Sequence, residues 1–188
     1  MMYYRIVFDS QKDDAWFIHG PFEQNGSLVD DQFFRTCLIY SDFRSELRYR
    51  IRHNGESTSF TFASFDVPVI NDQISHVFLE CNPKDIQLIS VKIEGKVGQY
   101  WILNVLKEVS CLDEKNSTIM WWKPEDGRPD KVGQYRMITK FKLDRQRIGD
   151  TRIFRLGGWK VALIVNDQLK QKLEQAGISG VRFEEMET

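Results

Sequence analysis

The sequence predicts an α+β protein, β-rich, with two principal helices packed on mainly antiparallel sheet. Two patterns carry that expectation. Apolar residues alternate with polar ones in several separate runs, and two segments change to the three-to-four-residue spacing of an amphipathic helix, each opened by an asparagine. Size is the third observation: 188 residues, 41% hydrophobic and 28% charged, can bury a core without metal or disulfide staples. A single domain over 1–188 is the expectation.

Tyr3 to Phe8 comes first, a strand with Tyr4, Ile6 and Phe8 on one face. The stretch that follows, Asp9 to Asp31, reads as loop because Gly20-Pro21 and Gly26 interrupt it. In Leu47 to His53, Leu47, Tyr49 and Ile51 oppose Arg48, Arg50 and Arg52, the pattern of a half-buried strand. After Asn71, whose side chain can accept from an orphan backbone N–H, Ile74, Val77, Phe78 and Cys81 define a helix face, and Pro83 cannot continue the helix. Strands are expected at Ile86 to Glu94, Tyr100 to Val109, Gln134 to Leu143 and Arg152 to Leu156. Asn166 then caps a second helix with Leu169, Leu173 and Ala176 as its stripe and Gly177 at its end, before a short strand at Gly180 to Glu184.

The two helical segments resemble each other. "VINDQI" from Val69 and "IVNDQL" from Ile164 share Asn-Asp-Gln followed by an apolar residue, 95 positions apart. Each follows an extended segment led by an aromatic (Phe65-Asp66-Val67; Trp159-Lys160-Val161) and precedes a strand. Either a common capping pair occurs twice, or the chain is duplicated into lobes at 1–94 and 95–188. Strand order and direction around the two helices distinguish the two readings.

Composition narrows function by exclusion. A formal net charge of −1 argues against general nucleic-acid binding, and the three arginines of Leu47 to His53 lack a stacking aromatic on their own face. No apolar run is long enough to span a membrane, and the N-terminus has no signal-peptide pattern, so a cytoplasmic protein is expected. Three cysteines, Cys37, Cys81 and Cys111, without CxxC spacing suit reduced thiols. His19, His53 and His76 have no ligand-spaced partners, and no phosphate loop, dinucleotide fingerprint or nucleophile elbow is present. No metal, cofactor or catalytic residue is expected.

The stretch Asp126-Gly127-Arg128-Pro129-Asp130-Lys131 admits two readings. Asp126 and Asp130 could form an acid–base or Mg²⁺-binding pair, but Gly, Pro and Asp in this order are turn chemistry, and the turn is the preferred reading.

"EDGRPDKVGQYRM", with "TRIFRLGGWKVALIVNDQLKQKLEQAGISGVRF" and the N-terminal "YYRIVFDS", resembles the immunity family numbered eleven of bacterial polymorphic toxin systems. The likeness covers nearly the whole chain and is most specific from Trp121 to Phe183. It implies a protein that protects its producer by binding a cognate toxin, and it implies no catalytic residues. Residues that identify a family are shared by members facing different toxins, so partner discrimination is expected elsewhere.

The segment expected to meet the toxin is Asp9 to Asp31, which carries six acidic residues against one basic. Within it Asp13 and Asp14 precede Trp16-Phe17, and Asp30-Asp31 precede Phe33-Phe34, so aromatic anchors ringed by carboxylates would suit a basic partner. Asp13, Asp14, Trp16, Phe17, Asp30 and Asp31 are therefore the candidate partner-binding residues, set against an ordinary solvated loop whose aromatics enter the core. A ligand-binding or regulatory module, or an enzyme that reverses toxin damage, remains the alternative class. Oligomeric state is not legible.

Overall fold

The computed structural model describes residues 1–9, 14–42, 45–64, 66–81 and 84–188. In chain order come β1 (Tyr3–Phe8), β2 (Phe17–Phe22), β3 (Leu47–His53), β4 (Phe60–Ala63), β5 (Val67–Asn71), α1 (Asp72–Cys81), β6 (Ile86–Ile93) and β7 (Tyr100–Val105). Next are β8 (Glu108–Val109), β9 (Thr118–Trp121), β10 (Tyr135–Lys140), the short α2 (Arg145–Ile148), β11 (Ile153–Leu156), β12 (Leu163–Asn166), α3 (Asp167–Gln175) and β13 (Val181–Met186). A 3-10 turn at Asp31–Arg35 lies between β2 and β3.

Three sheets result. One has six strands in the order β2-β3-β6-β7-β5-β4, a second has five in the order β13-β1-β12-β11-β8, and β9 pairs with β10 as a separate hairpin. Antiparallel ladders dominate, but β3 with β6 and β11 with β8 are parallel. The six-stranded sheet curls until its edge strands β2 and β4 face each other, close to a closed barrel, with Ser64 Oγ donating to the Gly20 carbonyl at 3.0 Å across the seam. Pro21 is tolerated in β2 because an edge strand has no ladder bond there to lose. The expected strand from Tyr100 to Val109 is two strands, β7 and β8, belonging to different sheets.

Alternation within each strand distributes the core. Tyr49, Val69, Ile89, Val91 and Ile102 fill the interior of the curled sheet with Trp16 and Phe34. The opposite set, including Ile70, Leu103 and Val105, meets Leu163 and Val165 of the five-stranded sheet across α1 and α3. Ile74, Phe78, Leu169 and Leu173, all fully buried, are the helix positions read from the sequence. Each such side chain contributes roughly 1.5–3 kcal/mol of transfer free energy. A third cluster lies where the β9–β10 hairpin and α2 cover the other face of the five-stranded sheet, with Cys111, Ile138, Ile148 and Phe154.

The two helices share more than their caps. The Asn71 carboxamide oxygen accepts from the Ile74 N–H at 3.2 Å and that of Asn166 from the Leu169 N–H at 2.9 Å. Before α1 stands the antiparallel pair β4–β5, and before α3 the antiparallel pair β11–β12. After each helix the chain returns to the same sheet one strand away: β7 separates β5 from β6, and β1 separates β12 from β13. Both inserted strands run antiparallel to both neighbours. Strand order and direction therefore match around the two helices. The inserted strand differs in origin, since β7 directly follows β6 whereas β1 comes from the other end of the chain. Both sheets thus draw strands from either side of the 94/95 boundary. Phe65 and Pro83, which entered the sequence argument, lie outside the described residues.

Candidate partner-docking face

Asp13 lies outside the described residues. Asp14 is exposed, and its carbonyl accepts from the Glu56 N–H at 2.7 Å, which ties the entry of β2 to the loop after β3. Trp16 is 1% exposed, and its Nε1 donates to Thr58 Oγ1 at 3.0 Å. Buried indole nitrogens need such a partner, and the one Trp16 finds makes it a core residue rather than a surface anchor. Phe17, the next residue, projects the other way because strand neighbours alternate, and remains 45% exposed. Its ring centroid lies 5.4 Å from that of Phe8.

Asp30 caps the 3-10 turn, its Oδ1 accepting from the Gln32 N–H at 3.0 Å. Asp31 occupies the first turn, half-buried, while Phe34 is fully buried against Phe33 and Tyr40. Of the two aromatic pairs expected at the surface, each therefore sends one ring inward.

These residues meet at the seam. Between β2 and β4 opens a mainly apolar groove of about 540 Å³, walled by Phe8, Phe17, Ile18 and Phe62 and edged by His19, Asp31, Arg52 and Ser64. Phe17 and Asp31 are brought to one site, and Asp14 and Trp16 are not among its walls. Phe8, Phe62 and Arg52 were missed as site residues. The strands of Phe8 and Arg52 read correctly as alternating and that of Phe62 was not read, but which outward faces converge depends on how far the sheet curls.

On the other side of the same 3-10 turn lies a polar groove of about 560 Å³, lined by Gln32, Arg35 and Thr36 from one wall and Arg128, Asp130, Lys131 and Lys160 from another. The acidic segment and the Asp126–Lys131 turn, which the sequence reading separates, flank a common element. Asp126 and Asp130 do not act as a pair. Asp126 accepts from the Lys123 N–H and from Arg136, which hold its carboxyl below the usual range, and Asp130 receives both Arg128 Nε (3.0 Å) and Nη2 (2.8 Å).

Behind this groove sits a buried ionic cluster. Arg35 Nη1 bonds Asp66 Oδ2 at 2.9 Å, and Arg155, fully buried, donates to the carbonyls of Lys160 (2.8 Å) and Asp66 (3.1 Å). Burial lowers the Arg155 pKa to about 10 and raises that of Asp66, the neighbouring opposite charges working against both shifts. Lys160 in turn pairs with Glu108 at 2.7 Å. Among the described residues, no group of three or more His, Cys, Asp or Glu is placed to hold a metal ion.

A family model described as an immunity protein family, Imm11, matches residues 40–188. The chain belongs to the Imm11 immunity protein family. The match takes in both strand–helix–strand units and the Asp126–Lys131 turn of this Imm11 protein, while β1, β2 and the 3-10 turn precede it. No curated protein matches the chain. No helix among the described residues is long and apolar enough to cross a membrane.

Proposed function

We propose that this Imm11 protein acts in the cytoplasm as a stoichiometric inhibitor, binding a cognate bacterial effector toxin and neutralising it without chemistry of its own. Membership of an immunity family carries the reading. The surface that supports it is the seam groove with its aromatic walls and Asp31 at its edge, in a segment that also carries Asp14 and Asp30, which suits a basic toxin domain. Trp16 serves that surface from inside, by fixing β2 against Thr58. Phe8, Phe17 and Asp31 of this face precede the span matched by the family model, where members facing different toxins are free to differ, while Arg52, Phe62 and Ser64 lie within it.

Titrating an active toxin domain, encoded beside the gene for this chain, tests the reading. Toxin activity should fall linearly to a 1:1 endpoint; complete protection at a few per cent of equivalence would instead mean catalytic reversal of damage. Charge reversal at Asp13, Asp14, Asp30 and Asp31 should slow association with a steep salt dependence and leave folding intact. Unchanged capture rates at low salt would remove the acidic segment from the docking surface.

A further inference from the structure

After the 3-10 turn the chain exposes two large aliphatic side chains in succession, Leu38 at 59% and Ile39 at 67%. An isolated exposed leucine needs no explanation, but the backbone around this pair is held at several successive residues. Arg35 is fixed by Asp66, and the Thr36 carbonyl accepts from Lys160 Nζ at 3.4 Å. Cys37 adopts φ +63°, a left-handed conformation uncommon for a residue with a Cβ. The Leu38 carbonyl accepts from the fully buried Asn104 amide at 2.9 Å. Gln87 then treats Tyr40 as a strand neighbour would, accepting from its N–H at 2.8 Å and donating to its carbonyl at 2.7 Å. Asn104 and Gln87 are themselves bonded, at 3.1 Å, across the β6–β7 ladder.

Two polar side chains of the barrel wall are thus committed to holding a loop whose apolar side chains point into water. Burying Leu38 and Ile39 would be the stable arrangement for a free chain. Fixing them outward makes physical sense where a partner supplies the burial, because a preorganised anchor loses little conformational entropy on binding. We infer that Leu38 and Ile39 form a rigid apolar anchor that enters a hydrophobic pocket of the toxin. This rests on the proposed function. The occupant it commits to is a basic toxin domain: the anchor follows the 3-10 turn that opens with Asp30 and Asp31, so the same partner surface would meet carboxylates on one side of its apolar pocket. The Imm11 match starts at Tyr40, so the anchor directly precedes the span that identifies the family.

The test uses the full chain and the catalytically inactivated toxin domain encoded beside its gene. Leu38→Ser with Ile39→Ser should leave thermal unfolding unchanged and weaken binding by about 100-fold or more, mainly through faster dissociation. Gln87→Ala keeps both aliphatic side chains but frees the loop. It should accelerate hydrogen exchange at the Tyr40 amide in the free protein and weaken binding by about 10-fold. Parental affinity in the double serine variant overturns the inference while leaving the proposed function standing. Failure of the parent chain to bind the toxin domain overturns the proposed function itself. Concentration-dependent dimers that the double serine variant abolishes would assign the anchor to a second copy of the chain and equally overturn it.

Discussion

Cys37, Cys81 and Cys111 are free thiols, and burial decides how each behaves. Cys111 is fully buried and its thiol is pushed up to about 12; Cys81 is 9% exposed on the core side of α1; Cys37 is half-buried, with burial raising its pKa against the pull of Lys160. Because the thiolate is the reactive form, a disulfide-exchange reagent at pH 8 should modify Cys37 slowly and Cys111 only on unfolding. Denaturation without reductant should then release all three. Rapid native labelling of Cys111, or fewer than three thiols after unfolding, would contradict this assignment. Cys81 was legible as a core residue because its position on the helix stripe is local information. The fate of Trp16 and Phe17 was not, since either neighbour could have taken the inward face.

Turns and hairpins show how charge sets the limits of an element. In the connection between β9 and β10, Asp126 receives the Lys123 N–H at 2.9 Å and the Arg136 guanidinium, and Arg136 also lies over the Trp122 ring at 4.9 Å. Hydrogen bonding to the charged form lowers the Asp126 pKa from 3.8. A carboxylate with a depressed folded-state pKa contributes stability that is complete above its unfolded value and is lost as pH falls through the folded one. The expected window therefore opens near 3.8 and extends below it. Asp126→Asn should lower the melting temperature at neutral pH and reduce the further loss between neutral pH and strong acid. An acid-induced drop equal to that of the parent would show that Asp126 does not hold the turn. The turn itself was readable from Asp-Gly and Arg-Pro-Asp. Its position beside the 3-10 turn was not.

Across the whole molecule, the two sheets are joined by contacts that span most of the chain. Arg155, in β11, reaches the carbonyl of Asp66 in the turn before β5, and Ser59 and Ser179 exchange backbone and hydroxyl bonds at 2.8 to 3.3 Å. Removing Arg155 leaves buried carbonyls without donors and Asp66 with one fewer cation, so Arg155→Ala should cost about 3–5 kcal/mol by denaturant unfolding. Arg155→Met, which restores volume but not charge, should cost less. A loss under 1 kcal/mol for the alanine variant would mean that the cluster is not what fastens the sheets. The matched strand–helix–strand units add a second theme at this scale. β1 fills in one sheet the place that β7 fills in the other, so a likeness visible as three shared letters, Asn-Asp-Gln, is completed by a strand from the opposite end of the chain.

Period-2 alternation, the helix stripes and the Asn caps belong to neighbours a few residues apart, and the sequence by itself determined them: β1, β3, β6 and both principal helices lie where the pattern puts them. β2, β4, β5, β9 and β12 escaped because they are short, edge-lying or uniformly apolar, and such runs carry no distinctive period. Tertiary structure alone decided that β7 and β8 part company, and that Gly180, at φ +89°, passes so close to Phe60 that a Cβ there would meet its carbonyl oxygen at 2.2 Å. It also decided that Phe8, Phe17 and Phe62 converge at the seam, and that Gln87 and Asn104 grip the loop bearing Leu38 and Ile39. Each of these depends on the register between distant strands. Register is chosen by the summed burial of whole faces, a quantity that no short stretch of sequence contains.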